Sequence, residues 1–188
     1  MMISYQSVTE RKIKVAVVGC GRISRNHFDS IEEHKDNVEL VAICDVQEKI
    51  LSEHETKYKV NSYLNLIDML ENEDLDLVVI CTPSGAHADQ VELCANNGVN
   101  VMTEKPMATR WSDGLRMVKA CDDAGVRLFV VKQNRRNSTL QLLNRAIKEN
   151  RFGKIHMVHL NVFWTRPQEY YDQARWRGTW EFDGGAFM

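Results

Sequence analysis

The chain has 188 residues, 44% of them hydrophobic and 27% charged, with a formal net charge of −2. That length holds one large domain, or one domain and part of a second, with apolar material enough for a sizeable core. The balanced charge gives no electrostatic case for nucleic acid or a membrane surface, and no apolar run is long enough for a span or a secretory leader, so the expected compartment is the cytoplasm.

The elements follow in order. Met1 to Glu10 is polar and aperiodic and reads as a loose tail. Lys14 to Val18 is an apolar run of the kind buried on both faces of a sheet. It runs into Gly19-Cys20-Gly21-Arg22-Ile23-Ser24 and then a helix whose inner face joins Ile23, His27, Phe28 and Ile31. A second strand, Val38 to Cys44, ends in Asp45, and a helix over Gln47 to Lys59 carries Ile50, Leu51, His54 and Tyr58 on one side. Asn61 to Tyr63 is either a third strand or a connection. A helix over Leu64 to Glu71 leads to the strand Leu77 to Cys81, and Thr82-Pro83-Ser84-Gly85 forces a loop. A helix from Ala86 to Asn96 stops at Asn97-Gly98. Val99 to Thr103 is a strand. Ser112 to Ala124 is a helix with Leu115, Val118 and Cys121 inward and Gly125 as its stop, and Val126 to Val131 is a sixth strand. Strands and helices alternating at this rhythm predict an α/β fold, a doubly wound parallel Rossmann sheet over residues 11–133.

Past Lys132 the character changes. Asn137 and Ser138 are candidate caps for a helix bearing Leu140, Leu143 and Ile147. Ile155 to Thr165 reads as one long strand with apolar residues on both faces, and no strand of comparable length follows it. Residues 134–188 are therefore expected to be an incomplete second unit: either its partner strands come from another chain, which makes a homo-oligomer the expected assembly, or the sequence in hand stops partway through a domain. The five cysteines, Cys20, Cys44, Cys81, Cys94 and Cys121, are scattered and fall largely in apolar runs. They read as small buried residues, with no disulfide framework and no metal site.

In an open parallel sheet the ligand lies outside the carboxyl ends of the strands. Those ends carry Gly19-Cys20-Gly21, Asp45, Cys81-Thr82-Pro83 with His87, Glu104-Lys105-Pro106, and Gln133-Asn134-Arg135. A strand, a glycine turn and a helix start form a seat for a dinucleotide pyrophosphate, because the glycines admit close approach and the helix N-terminus offers free N–H groups. Ser24 stands where the fingerprint has Gly or Ala, and is small enough for the packing required there. Asp45, 24 residues beyond Gly21, is placed to receive the adenosine ribose hydroxyls, or to cap the following helix. A carboxylate there repels a 2′-phosphate, which favours NAD over NADP.

Lys105 is the candidate for proton handling, since a lysine beside a cationic nicotinamide has its pKa lowered and can hydrogen-bond or deprotonate a substrate hydroxyl. The bland alternative is a surface lysine paired with Glu104. His87 caps its helix or touches the cofactor. Asn134, Arg135 and Arg136 could hold an anionic substrate or be a solvated face. Arg175, Trp176, Arg177 and Trp180 mix cations with aromatics as sugar and phosphate sites do, and loop packing explains them equally well.

Together, Gly19-Cys20-Gly21-Arg22-Ile23, Cys81-Thr82-Pro83 with His87, and Glu104-Lys105-Pro106 resemble the glucose–fructose oxidoreductase/inositol dehydrogenase (Gfo/Idh/MocA) family. The Glu-Lys-Pro motif is the specific part, and the likeness runs from Lys12 to Met188. It implies a Rossmann domain followed by an α/β domain with an open mixed sheet, NAD(P), and hydride transfer at a sugar hydroxyl. By it, Lys105 is the catalytic lysine, and the cofactor is lined by Gly19, Gly21, Arg22, Ile23, Asp45, Cys81, Thr82, Pro83, His87, Glu104, Lys105 and Gln133. Lys105, Asn134, Arg135, Trp176 and Arg177 then face the substrate. The stretch from Trp176 through Gly185 resembles members that act at C3 of a UDP-N-acetylhexosaminuronate on the way to surface polysaccharide. The family's catalytic histidine follows the Gly-Gly segment by several residues, and the sequence in hand stops at Met188; His156 and His159 do not match that motif. The expectation is a stretch that binds NAD without completing turnover. Two other readings stay open: a non-catalytic dinucleotide-binding or redox-sensing module, and a cyclitol or simple-sugar dehydrogenase.

Overall fold

Side chains along β1 (Ile13–Val18) alternate between two apolar layers, and that alternation sets the architecture. Val15 and Val17 join one layer with Phe28, Ile43 and Leu51, while Ala16 and Val18 join the other with Val78, Ile80 and Val91. A strand buried on both faces belongs in the interior of a parallel sheet covered by helices on each side. The computed structural model describes residues 8–185. The expected Met1–Glu10 tail lies largely outside that range.

The sheet has six strands in the order β3-β2-β1-β4-β5-β6, every pair parallel. They are β1, β2 (Val38–Cys44), β3 (Asn61–Tyr63), β4 (Leu77–Ile80), β5 (Asn100–Thr103) and β6 (Leu128–Val130). Asn61–Tyr63 is thus a strand, at one edge. Helices α1 (Ser24–Glu33) and α2 (Glu48–Tyr58) cover one face; α3 (Leu66–Asn72), α4 (His87–Asn96) and α5 (Trp111–Ala124) cover the other. Strand order reverses between β1 and β4, which opens a crevice at their carboxyl ends.

Two glycines in the first turn meet opposite demands. Gly19 has φ +85°, and a Cβ there would lie 2.8 Å from the Cys81 carbonyl carbon and 2.9 Å from the Thr82 nitrogen. A Cβ on Gly21 would meet nothing within 4 Å, so that side of the turn faces open space. Ser24 is fully buried and donates its hydroxyl to the Gly21 carbonyl (2.6 Å), which is why a small hydroxyl residue fits the sixth position. On the α1/α2 face Phe28 stacks on Tyr58 at 4.5 Å between ring centroids and lies 5.3 Å from His54.

Two expectations are corrected. On α5, Met117 and Cys121 face the core, one turn apart, while Leu115 is 53% exposed and Val118 is also exposed. Leucine and valine there advertised an apolar stripe, but one turn of helix from Cys121 leads to Met117. The strand expected over Ile155–Thr165 is not formed: the segment has no regular structure, and its side chains are exposed, Phe163 to 95%. A strand requires a neighbour to accept its ladder. Among the described residues nothing after β6 is in a strand, so the open mixed sheet expected of the second unit is not seen. That region holds α6 (Ser138–Lys148), capped by Asn137 as expected, and α7 (Gln168–Asp172). The five cysteines are free and buried.

Phe28→Ala is expected to cost about 3–5 kcal/mol in urea unfolding, as large aromatic truncations in a packed core do. Leu115→Ala is expected to stay within about 0.5 kcal/mol. Equal losses at the two positions would contradict the observed face of α5.

Candidate cofactor and active site

The carboxyl edge of the sheet gathers most of the residues singled out from the sequence. Gly19 donates its N–H to the Cys44 carbonyl (2.8 Å) and Cys81 donates its N–H to the Val18 carbonyl (2.7 Å), so the ends of β2, β1 and β4 are stitched side by side. Glu104 N–H reaches the Ile80 carbonyl (3.0 Å), and Val131 N–H the Thr103 carbonyl (2.9 Å), extending the edge to β5 and β6. Arg22 and Gly21 are exposed at the lip, ahead of the N-terminus of α1.

Asp45 ties the glycine turn to β2. Its Oδ2 accepts the Cys20 N–H (2.8 Å) and its Oδ1 accepts the Gln47 N–H (3.0 Å). The residue at the N-cap of α2 is Gln47, so Asp45 is not that cap. Each carboxylate oxygen keeps a second lone pair for an incoming hydroxyl.

Glu104 is buried, and both its oxygens are spent on protein donors. Oε1 lies 2.9 Å from His27 Nε2, and Oε2 accepts the backbone N–H of Lys105 (3.1 Å). A carboxylate only accepts, so His27 carries its proton on Nε2. Burial pushes the Glu104 carboxyl up, but the hydrogen bonds from His27 and Lys105, together with their charges, outweigh it and hold the group below its ordinary value. His27 was read only as part of a helix face. Its partner lies 77 residues away, and no local signal links them.

His87 opens α4 and is 1% exposed. Its Nδ1 lies 3.0 Å from the Pro106 carbonyl oxygen and its Nε2 3.0 Å from that of Thr82. Burial lowers its pKa, opposed by those carbonyls. The ring therefore bridges the loop after β4 to the loop after β5, and neither caps a helix nor faces the open crevice. Thr82 donates its hydroxyl to Gln90 Oε1 (2.5 Å). Pro83 is half-buried beside it. Cys81 and Cys20 are inert as nucleophiles: burial pushes both thiols up, Cys20 to about 12.

Lys105 is exposed, and its ammonium has no hydrogen-bonding partner among the described residues. The side-chain pair with Glu104 is not formed; the backbone makes that contact instead. Lys105 is joined to Pro106 by a cis peptide. Gln133, Asn134 and Arg135 form an exposed turn with Arg136 just beyond β6, on the same edge as Glu104 and Lys105. Arg177 is turned into its own segment: Nη1 donates to the Tyr170 carbonyl (2.6 Å) and to Gln173 (3.0 Å), with the guanidinium 4.3 Å from the Tyr170 ring centre. Trp176 is half-buried in the same loop. Gly85, which the sequence reading treated only as a loop former, carries that loop's contact with the sheet: its N–H donates to the Phe182 carbonyl (2.9 Å).

The open ground beyond Gly21, with the Asp45 carboxylate on one side and Thr82 and Pro83 on the other, fits a dinucleotide laid across the β1/β4 switch point. No group of three or more His, Cys, Asp or Glu side chains among the described residues could hold a metal ion. No helix among them is long and apolar enough to cross a membrane.

Comparison with known proteins agrees with this geometry. D-apiose dehydrogenase of Paraburkholderia graminis is 35% identical over 153 residues, 81% of this chain and 40% of that protein. The WlbA dehydrogenase of Chromobacterium violaceum, solved with NADH and UDP-GlcNAcA, superposes with a TM-score of 0.96 at 58% identity, covering 100% of this chain and 54% of its own. WlbA of Bordetella pertussis, solved with the same two ligands, gives 0.92 at 60% identity over 95% of this chain and 54% of its own. The chain thus spans about half the length of the proteins it matches. The family models for the NAD-binding Rossmann fold and for the C-terminal α/β domain match residues 13–132 and 144–188. This chain belongs to the Gfo/Idh/MocA oxidoreductase family.

Proposed function

We propose that the chain carries the cofactor half of an NAD-dependent dehydrogenase that moves hydride between C3 of a UDP-N-acetylhexosaminuronate and nicotinamide, as a step towards surface polysaccharide. Residues 11–133 bind the dinucleotide, and residues 134–188 begin the domain that meets the sugar and a second subunit in a cytoplasmic homo-oligomer. The observation that carries this reading is the single edge on which Gly21, Asp45, Thr82 and an unpaired Lys105 meet. The likeness to the two WlbA proteins, both solved with NADH and UDP-GlcNAcA, supports the substrate class.

Gly19 brings β1 against β4, and Gly21, Arg22 and Ile23 offer N–H groups at the start of α1 to the pyrophosphate. Asp45 takes the adenosine ribose hydroxyls on its free lone pairs and repels a 2′-phosphate. Cys81, Thr82 and Pro83 form the wall across the crevice. Bound NAD supplies the hydride acceptor. Lys105 holds the reacting sugar oxygen and eases loss of its proton. Glu104 acts from beneath, fixing the Lys105 backbone, and His87 holds Thr82 and Pro106 at a set spacing. Gln133 reaches the nicotinamide end, while Asn134, Arg135 and Trp176 face the anionic sugar. Arg177 keeps the Trp176 loop in shape.

Fluorescence titration is expected to give NADH binding at least about tenfold tighter than NADPH, since bringing like charges together costs roughly 1 kcal/mol or more even in water. Asp45→Asn is expected to narrow that ratio, and equal affinity in the unaltered chain would sink the NAD assignment. Lys105→Met is expected to weaken UDP-GlcNAcA binding to the NADH-loaded chain by about tenfold, the scale of one charged hydrogen bond. Glu104→Gln is expected to lower the melting temperature at pH 7 by about 3–8 °C. Because the Glu104 carboxyl sits below its ordinary 4.5 in the folded chain, its stabilisation is full above that value and fades as pH falls through the folded one. The gap between variant and parent should therefore close in acid; a gap that widened would contradict the assignment.

A further inference from the structure

The turn between β4 and α4 meets the end of the described chain at one point, and that point is built around a missing side chain. A Cβ on Gly85 would collide with the Glu181 carbonyl oxygen and lie 2.9 Å from Phe182 Cα. Both are backbone atoms and cannot rotate aside. Gly85 is not among the glycines with positive φ, so its backbone gives no reason for glycine. What the position uses is the space.

The segment seated there is closed on itself. Asp183 Oδ2 accepts the Gly178 N–H (2.6 Å), and the N–H groups of Asp183 and Gly184 both reach the Thr179 carbonyl (3.0 Å each). Thr179 donates its hydroxyl to the Trp176 carbonyl (2.7 Å). A loop braced this way moves as a unit, so the contact at Gly85 sets where Trp176 and its neighbours stand. The same turn carries Thr82 and Pro83 on one side of Gly85 and His87, bonded to the Pro106 carbonyl, on the other.

We propose that Gly85 is the socket that seats the Trp176–Gly184 loop on the cofactor end of the sheet, which makes it a positioning residue for the sugar side of the site. The proposal rests on the dehydrogenase reading above. Any side chain at position 85 lifts the loop away while leaving the Gly19–Asp45 end of the crevice as it was.

The test is hydrogen exchange read by mass spectrometry, together with NADH and UDP-GlcNAcA titrations of the 188-residue chain. Gly85→Ala is expected to speed exchange across 178–184 by about tenfold or more, with protection of β1 and β4 kept, the NADH Kd within about twofold, and UDP-GlcNAcA binding about tenfold weaker. Unchanged exchange across 178–184 overturns the socket. A released loop with unchanged UDP-GlcNAcA affinity overturns the positioning role. If the unaltered chain binds NADH but no UDP-GlcNAcA, the substrate assignment and the positioning role both fall, and the socket stands or falls on exchange alone. Should Gly85→Ala fail to fold, Asp183→Ala opens the loop from within. Faster exchange of the Gly85 amide itself then supports the socket, and an unchanged Gly85 amide overturns it.

Discussion

The structure depends on how closely β1 is allowed to approach the end of β4. At Gly19 the two backbones leave no room for a side chain, and a positive φ turns the chain out of the sheet there. Every later feature of the edge inherits that approach. Cys81 takes the Val18 carbonyl, Glu104 takes the Ile80 carbonyl, and the loops beyond them are delivered side by side at one level. Two residues on, Gly21 has the opposite requirement, because nothing of the protein fills the space before it. One glycine is used for contact with protein and the other for room. The pair makes both the crevice and its open mouth.

The electrostatics of the edge arise from the same packing. A carboxylate at position 104 is buried by strands on either side, a placement that raises its pKa unless donors replace the lost water. His27 and the Lys105 N–H are those donors. Spending the carboxylate inward leaves the Lys105 ammonium without a hydrogen-bonding partner among the described residues, on the exposed side where a charged group is cheap to keep. His87 makes a complementary bridge. Its two nitrogens face two carbonyls, so the neutral ring can donate to only one at a time, and it spans the loops without adding charge beneath the site.

The sheet was legible in the sequence because its evidence is local. Apolar runs rich in Val in β1, β2 and β4, and stops at Gly98 and Gly125, are read within a few residues. The glycine turn, Asp45 and Glu104-Lys105-Pro106 were legible for the same reason: each sits where a strand ends. What escaped was every contact made across the chain. His27 with Glu104 and Gly85 with Phe182 join segments that only the fold brings together. For Arg177 the sequence left a sugar or phosphate contact and loop packing level, because it cannot show that a Tyr170 ring and carbonyl already engage the guanidinium. The two structural misreadings share one cause. Apolar residues on α5 and along Ile155–Thr165 declare that a side chain could be buried, but burial also needs a surface to bury against.

That distinction separates the two parts of the chain energetically. Among the described residues the apolar core draws its last member from Val126, so the Rossmann sheet is consolidated without help from residues 134–185. In that later stretch Phe163 and Trp164 stand in solvent, and α6 keeps Leu140, Leu143 and Ile147 half out of any core. The Trp176–Gly184 loop is therefore braced by hydrogen bonds within itself and not by a core, in contrast to the crevice, which a full core supports. A loop in that position takes its place from wherever it touches something rigid. In this chain one such touch is the bond from Gly85 to Phe182, made in the turn that follows the buried strand β4.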